Sequence, residues 1–262
     1  MNLMKYEITI LGAYGTKGFS HGTTSYNVNG MHVLDAGNLL QGLKEKAAEI
    51  EAIWISHSHL DHIVDIAYIL DSYFDKRTKS LKLMGLAETL DAIQKHFLND
   101  VIWPDFSKIK LLHSDAMAVE YIPISCYTSH RIDNSTEISL FRSDHTVPCC
   151  GFVIHKPASA LLITNDAYSL DEVIEQVNAN DKIKSLVVEC SFPSSMKGLA
   201  IESKHLTPQL LFEGLKPLEN HQLKLYINHI KPLCEKEITD EISQYKGTWD
   251  VQILKDGDKI IF

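Results

Sequence analysis

Four side chains able to bind a metal ion crowd into positions 57 to 62 of this chain: His57, His59, Asp61 and His62. Imidazole and carboxylate together suit zinc, and also iron or manganese. The residues just before them, Ile53-Trp54-Ile55, have the length and type of a short buried strand. The apolar residues just after, Ile63, Ile66, Ala67 and Leu70, recur at helical spacing. The ligands are therefore expected on a turn between strand and helix, where several side chains can point into one small volume. A polynuclear metal site needs that convergence, and a solvated polar loop does not call for it.

The same pattern recurs along the chain. Val33-Leu34-Asp35, Leu161-Leu162-Ile163-Thr164-Asn165-Asp166 and Leu225-Tyr226-Ile227-Asn228-His229 are apolar runs that end in residues of ligand type. A strand at 185–190 delivers Glu189, and His205 precedes a helix expected from about 208 to 216. Strands are expected at 5–11, within 24–36, at 81–84 and through 117–163, with helices near 60–74 and 86–97. Pro104 should stop the helical pattern and bias Trp103 toward an extended backbone. The chain closes with a helix and a hairpin expected around Asp256-Gly257. The glycine-spaced loop at 12–18 is not followed by a helix pattern, so it reads as a tight turn and not as a phosphate cradle. His130 is a rival ligand or a pocket residue, whereas His21, His32 and His96 read as ordinary packing or surface histidines.

Composition narrows the partners. With 262 residues, 45% of them hydrophobic, the chain can bury a large α/β core, and the absence of a linker or repeat favours one domain over 1–262. The formal charge of −9 and the lack of a Lys/Arg cluster disfavour nucleic acid as a partner, although a local positive site could hold a small anion. No apolar run reaches membrane-spanning length, and the first residues read as a strand, not a secretory leader. Five cysteines, odd in number and without zinc-finger spacing, suggest free thiols and a cytoplasmic setting. The adjacent Cys149 and Cys150 read as strand packing.

His57-Ser58-His59-Leu60-Asp61-His62 resembles the HxHxDH signature of the metallo-β-lactamase superfamily. That resemblance implies an α/β fold of four layers, an αβ/βα sandwich. It further implies His57, His59 and His145 on one metal and Asp61, His62 and His229 on a second, with Asp166 bridging them. His145 enters through Ser143-Asp144-His145-Thr146-Val147-Pro148, and Asn165 stands where relatives have glycine. Asp35, in Asp35-Ala36-Gly37, is expected to buttress the metal loop without touching a metal. His59 stands where diiron oxygen-handling relatives usually have Glu, which tilts the reading toward a hydrolase.

Further along, "GLAETLDAIQKHFLNDVIWPDF", "ECSFP", "KHLTP" and "INHIKP" resemble the class II cyclic-nucleotide phosphodiesterases, with Lys204 in place of a common glycine. The resemblance implies a hydrolase that opens a 3′,5′-cyclic phosphate (cAMP or cGMP) to a nucleoside 5′-monophosphate. It would use two divalent ions, zinc first by histidine content and manganese or iron otherwise, and could pair as a homodimer. Asp61 would share in catalysis, with His205, oriented by Glu189, as general acid. Two other readings stand beside it: a tRNase Z-like tRNA 3′-end endonuclease, and a metal-binding sensor without hydrolytic turnover.

Overall fold

The computed structural model describes residues 6–218 and 222–262. Its first sheet takes β1 (Glu7–Gly12), β2 (Ser25–Asn27), β3 (His32–Leu34), β4 (Ala52–Ile55), β5 (Leu81–Gly85) and β6 (Val119–Pro123). Three helices, α1 (Leu39–Leu43), α2 (Leu60–Ser72) and α3 (Ala87–His96), lie between its strands in the chain. The second sheet takes β7 (Ser129–Arg131), β8 (Glu137–Ser143), β9 (Cys149–His155), β10 (Ala160–Ile163), β11 (Ile183–Glu189), β12 (Lys224–Asn228) and β13 (Asp250–Ile253). With it go α4 (Asp171–Asn178), α5 (Lys197–Glu202), α6 (Pro208–Gly214) and α7 (Glu235–Tyr245). The last strand, β14 (Lys259–Ile261), returns to the first sheet. The opening strand is thus where the sequence puts it, residue 5 lying outside the described residues.

Each sheet has seven strands, ordered β14-β1-β2-β3-β4-β5-β6 and β13-β12-β11-β10-β9-β8-β7. Within each, one half is parallel: β3 to β6 in the first and β10 to β13 in the second. Parallel strands are covered on both faces, which is why β4 and β10 are buried at every position and read as apolar runs without alternation.

Burial gives the layers. Ile53, Ile55 and Leu83 pack with Ile66, Leu70 and Ile93 of α2 and α3. Leu186, Val188 and Ile227 pack with Val173, Leu211 and Ile238 of α4, α6 and α7. A third cluster lies between the sheets, where Ile8, Ile10, Tyr26 and Trp54 meet Phe152, Leu161, Val187 and Tyr226. Helices, sheet, sheet, helices is the four-layer order expected. No helix among the described residues is long and apolar enough to cross a membrane.

One expectation fails. The turn at Asp256-Gly257 does not close a hairpin: β13 pairs parallel with β12, and β14 pairs antiparallel with β1 in the other sheet. The five residues between them exceed the two of the tightest hairpins and suffice to cross the roughly 10 Å between packed sheets. Asp256 is held elsewhere, accepting from the backbone N–H groups of Ala13 (2.9 Å), in the glycine loop, and of Gly22 (2.6 Å), four residues beyond it.

Candidate metal centre

The C-terminal ends of the parallel strands face one another across the two sheets, and the polar residues gather there, as open α/β sheets dispose their sites. After β3 comes Asp35, after β4 His57, after β10 Asp166, at the end of β11 Glu189, and after β12 His229. The β8–β9 turn adds His145, and the first turn of α2, with His59 at its N-cap, adds Asp61 and His62.

Two sets of ligand atoms result. His59 Nδ1 is 3.1 Å from His57 Nε2 and 3.2 Å from His145 Nε2. His229 Nε2 is 3.3 Å from His62 Nε2 and 3.4 Å from Asp61 Oδ2. Asp166 lies between: Oδ2 is 3.6 Å from both His57 and His145, while Oδ1 is 3.1 Å from His229 and 3.4 Å from His62. The ligand atoms of His57, His59, His145 and Asp166 all fall within 4.8 Å of one another, as do those of Asp61, His62 and His229. A further grouping was not foreseen: His205 comes within the same distance of Asp166 and His229, so it too could touch a cation.

The outward nitrogens of five of these rings, those of His57, His62, His145, His205 and His229, are engaged, which turns the inward ones toward the cluster. Asp35 Oδ2 accepts from His62 Nδ1 (2.7 Å) and from Ser56 Oγ (2.8 Å). Ser56 Oγ, its own proton so committed, lies 3.0 Å from His57 Nδ1 and can accept from it. The second sheet repeats the device. Glu189 accepts from His205 Nδ1 (2.8 Å) and from Ser191 Oγ (3.0 Å), and Ser191 Oγ lies 2.9 Å from His229 Nδ1. His145 Nδ1 donates to the carbonyl of Lys204 at 3.1 Å. Ser56 and Ser191 escaped the sequence reading; the available signal was a hydroxyl directly after a strand end.

These groups fit a metal. Asp166 Oδ1 is buried without a hydrogen-bond partner among the described residues. Ring nitrogens confront one another across the cluster, and buried polar atoms left so are costly unless something satisfies them. Burial holds His57 well below the ordinary imidazole range and pushes His145 down to about 4, so both offer a lone pair at neutral pH. Burial opposes charge on Asp61 and Asp166, yet the imidazoles of His62 and His229 hold both carboxyls below their usual range. Burial also opposes charge on His62, but Asp166, Asp35 and Asp61 together raise it, so a cation bound there must displace a proton. At His205 burial again disfavours the cation, and the Glu189 carboxylate outweighs it and raises the pKa. The ring of His205 stacks on that of His229, centroids 5.3 Å apart.

Backbone strain concentrates here. Asp35, Asn165, Lys204 and His229 all have positive φ, between 52° and 60°. Asn165 and Lys204 thus occupy backbone positions that suit glycine. Gly15 is required by contact: a Cβ would sit 2.5 Å from the carbonyl oxygen of His229 and 2.7 Å from its Nδ1. The glycine loop is therefore packed against a ring of the cluster, a contact that the reading as a tight turn does not disclose. His130 lies apart, on edge strand β7 against Trp54, ring centroids 6.0 Å apart.

Comparison with known proteins identifies the family and the fold. The model of the class-II cAMP phosphodiesterases matches residues 10–174. The 3′,5′-cyclic-nucleotide phosphodiesterase 1 of Saccharomyces cerevisiae is 25% identical over 229 residues, 75% of this chain and 60% of that protein's own length. The crystal structure of unliganded yeast PDE1 superposes with a TM-score of 0.78 at 19% identity, over 99% of this chain and 100% of that one. The metallo-β-lactamase fold protein YhfI of Bacillus subtilis superposes with a TM-score of 0.73 at 19% identity, over 97% and 98%. The chain has the metallo-β-lactamase fold.

Proposed function

Because this chain belongs to the class-II cAMP phosphodiesterases, we propose that it hydrolyses a 3′,5′-cyclic nucleotide to the nucleoside 5′-monophosphate. The observation that carries the reading is the split of Asp166 between two sets of ligands, one oxygen toward each. It supports His57, His59 and His145 holding one divalent cation and Asp61, His62 and His229 holding a second, with Asp166 shared. Histidine content favours zinc, with manganese or iron as substitutes. Such cations, when bound, lower the pKa of water and neutralise charge on a phosphodiester oxygen. The core shared by the two sheets supports treating the chain as one domain.

The chain's own groups supply the rest. Water forms the new P–O bond and the P–O3′ bond breaks, so O3′ needs a proton as it leaves. His205 is the donor: Nδ1 is fixed by Glu189, which stabilises the imidazolium and leaves Nε2 to face the substrate. Asp61 is the more open carboxylate of the cluster, its side chain 27% exposed, and can accept a hydrogen bond from the attacking water.

The test is a panel of cAMP, cGMP, a linear diester and a pre-tRNA, assayed with protein of known metal content. Turnover of either cyclic nucleotide at a rate above tRNA trimming is the expected result. Clean tRNA 3′ processing with inert cyclic nucleotides would give the endonuclease reading first place. A reducible metal pair with no esterase activity would favour a sensor.

A further inference from the structure

On the side of the metal loop away from the ligands, an apolar groove of about 370 Å³ runs between α2 and α3. Its floor is Ile63 and Phe97, both buried in the core beneath α2 and α3. Its rim is Leu60 and Ile102, 63% and 61% exposed, with Ala92 of α3 along one side. Two polar groups interrupt it, the half-buried Ser58 and the exposed His96. Side chains of this size left in water beside a volume adequate for a small organic ligand mark a site that something apolar and flat can fill.

The groove's position says what fills it. Ser58 and Leu60 flank His59, so the wall of the groove begins about 3.8 Å of backbone away from a ligand of the cluster. The first turn of α2 has two faces: Asp61 and His62 look into the cluster, while Leu60 and Ile63 look into the groove. A molecule with its phosphate at the cluster and an aromatic ring one sugar away could lie across that turn. Two other roomy clefts open around β7; the one of about 440 Å³ is lined by His155, Lys156 and Lys182, at the strand ends opposite the ligands. A third, of about 410 Å³, lies between α6 and the end of α7, lined by Phe212, Tyr245 and Trp249.

We propose that this groove is the nucleobase subsite, which receives the heterocycle of the nucleotide, with Ser58 and His96 placed to meet its polar edge. The proposal rests on the phosphodiesterase reading. It makes the groove, and not the metal cluster, the source of preference among nucleotides.

Ala92→Phe, at a half-exposed helical position, fills the groove, and Ile102→Ser strips its exposed rim. Kinetics are compared for cAMP, cGMP and methyl p-nitrophenyl phosphate, a diester without a base. Either variant should raise KM for the cyclic nucleotides tenfold or more with little change in kcat. The ratio of kcat/KM for cyclic nucleotide to that for the base-free diester should fall at least tenfold. Calorimetry should show AMP binding weakened about as much as KM is raised. KM and AMP affinity within twofold of the wild type in both variants would overturn the proposal. So would a change in oligomeric state with KM unaltered, which would make the groove a contact between copies. If the wild type cleaves only the base-free diester, the phosphodiesterase reading falls for cyclic nucleotides. AMP affinity then decides the groove: lost in the variants it stands, kept it falls.

Discussion

His205 carries the most exposed prediction at the scale of single residues. If it protonates the leaving oxygen, His205→Ala should lower turnover of a cyclic nucleotide about 10²-fold or more, the usual size of a general-acid contribution. The loss should shrink for a p-nitrophenyl diester, whose leaving group departs without an acid. Metal content, measured alongside, should be retained. Its loss would mean that the proximity of His205 to Asp166 and His229 reflects coordination. Lys204 gives a second prediction. Its left-handed backbone costs about 1 kcal/mol relative to glycine. Its ion pair with Asp144, 2.6 Å long but with both side chains 40% exposed or more, returns less than about 1 kcal/mol. Lys204→Gly should therefore leave stability unchanged or raise it by up to about 1 kcal/mol in urea melts. What the sequence disclosed at this scale follows the range of the contacts. His57, His59, Asp61 and His62 are contiguous and could be read directly, whereas His145, Asp166 and His229 needed the resemblance to place them. Ser191 and the Lys204 carbonyl act through hydrogen bonds between distant segments, which no local pattern records.

Among the elements, period and length made most strands and helices legible, because burial on one face or two writes a pattern into the residues. The partner of an edge strand is written nowhere nearby, so β13 and β14 looked like a hairpin. A smaller tie between sheets was also hidden. Asp133, in the β7–β8 turn, accepts from Asn29 Nδ2 in the β2–β3 turn at 3.1 Å and from Thr136 Oγ1 at 2.8 Å. Burial opposes its charge, but the Ser135 N–H and these donors bring its pKa down to about 2. The folded value lies below the unfolded one of about 3.9, so its contribution is complete above that pH and disappears as pH falls toward 2. Solvent screening keeps the contribution to about 1 kcal/mol at this part-exposed turn. Urea midpoints of the wild type and Asp133→Asn should differ at pH 6, and the gap should narrow as pH falls from about 4 to about 2. A gap as wide at pH 2 as at pH 6 would assign the effect to something other than the carboxylate.

For the molecule as a whole, the cluster ties the two sheets together, since His57, His59, Asp61 and His62 come from one side and His145, Asp166 and His229 from the other. A cation that binds only the folded form at about a thousandfold excess over its Kd adds about 4 kcal/mol. Chelation should then lower Tm by roughly 10 °C in a calorimetric scan. A Tm unmoved by chelator, with metal shown to be gone, would mean that the cluster does not brace the fold. The pairing of β1 with β14 has its own consequence, which concerns the order of assembly. Glu7 meets Ile261, so the first strand of this sheet to leave the ribosome waits for the last of its seven. Until then β1 has a bare edge, and the segment from Ala13 to Gly22 lacks the Asp256 carboxylate that fixes its ends. Contacts so far apart in the chain form slowly, and an unpaired strand edge is a template for the wrong partner in the meantime. A nascent chain halted after Leu254 should therefore be more susceptible to protease around residues 12–22 than the released protein, however complete its second sheet.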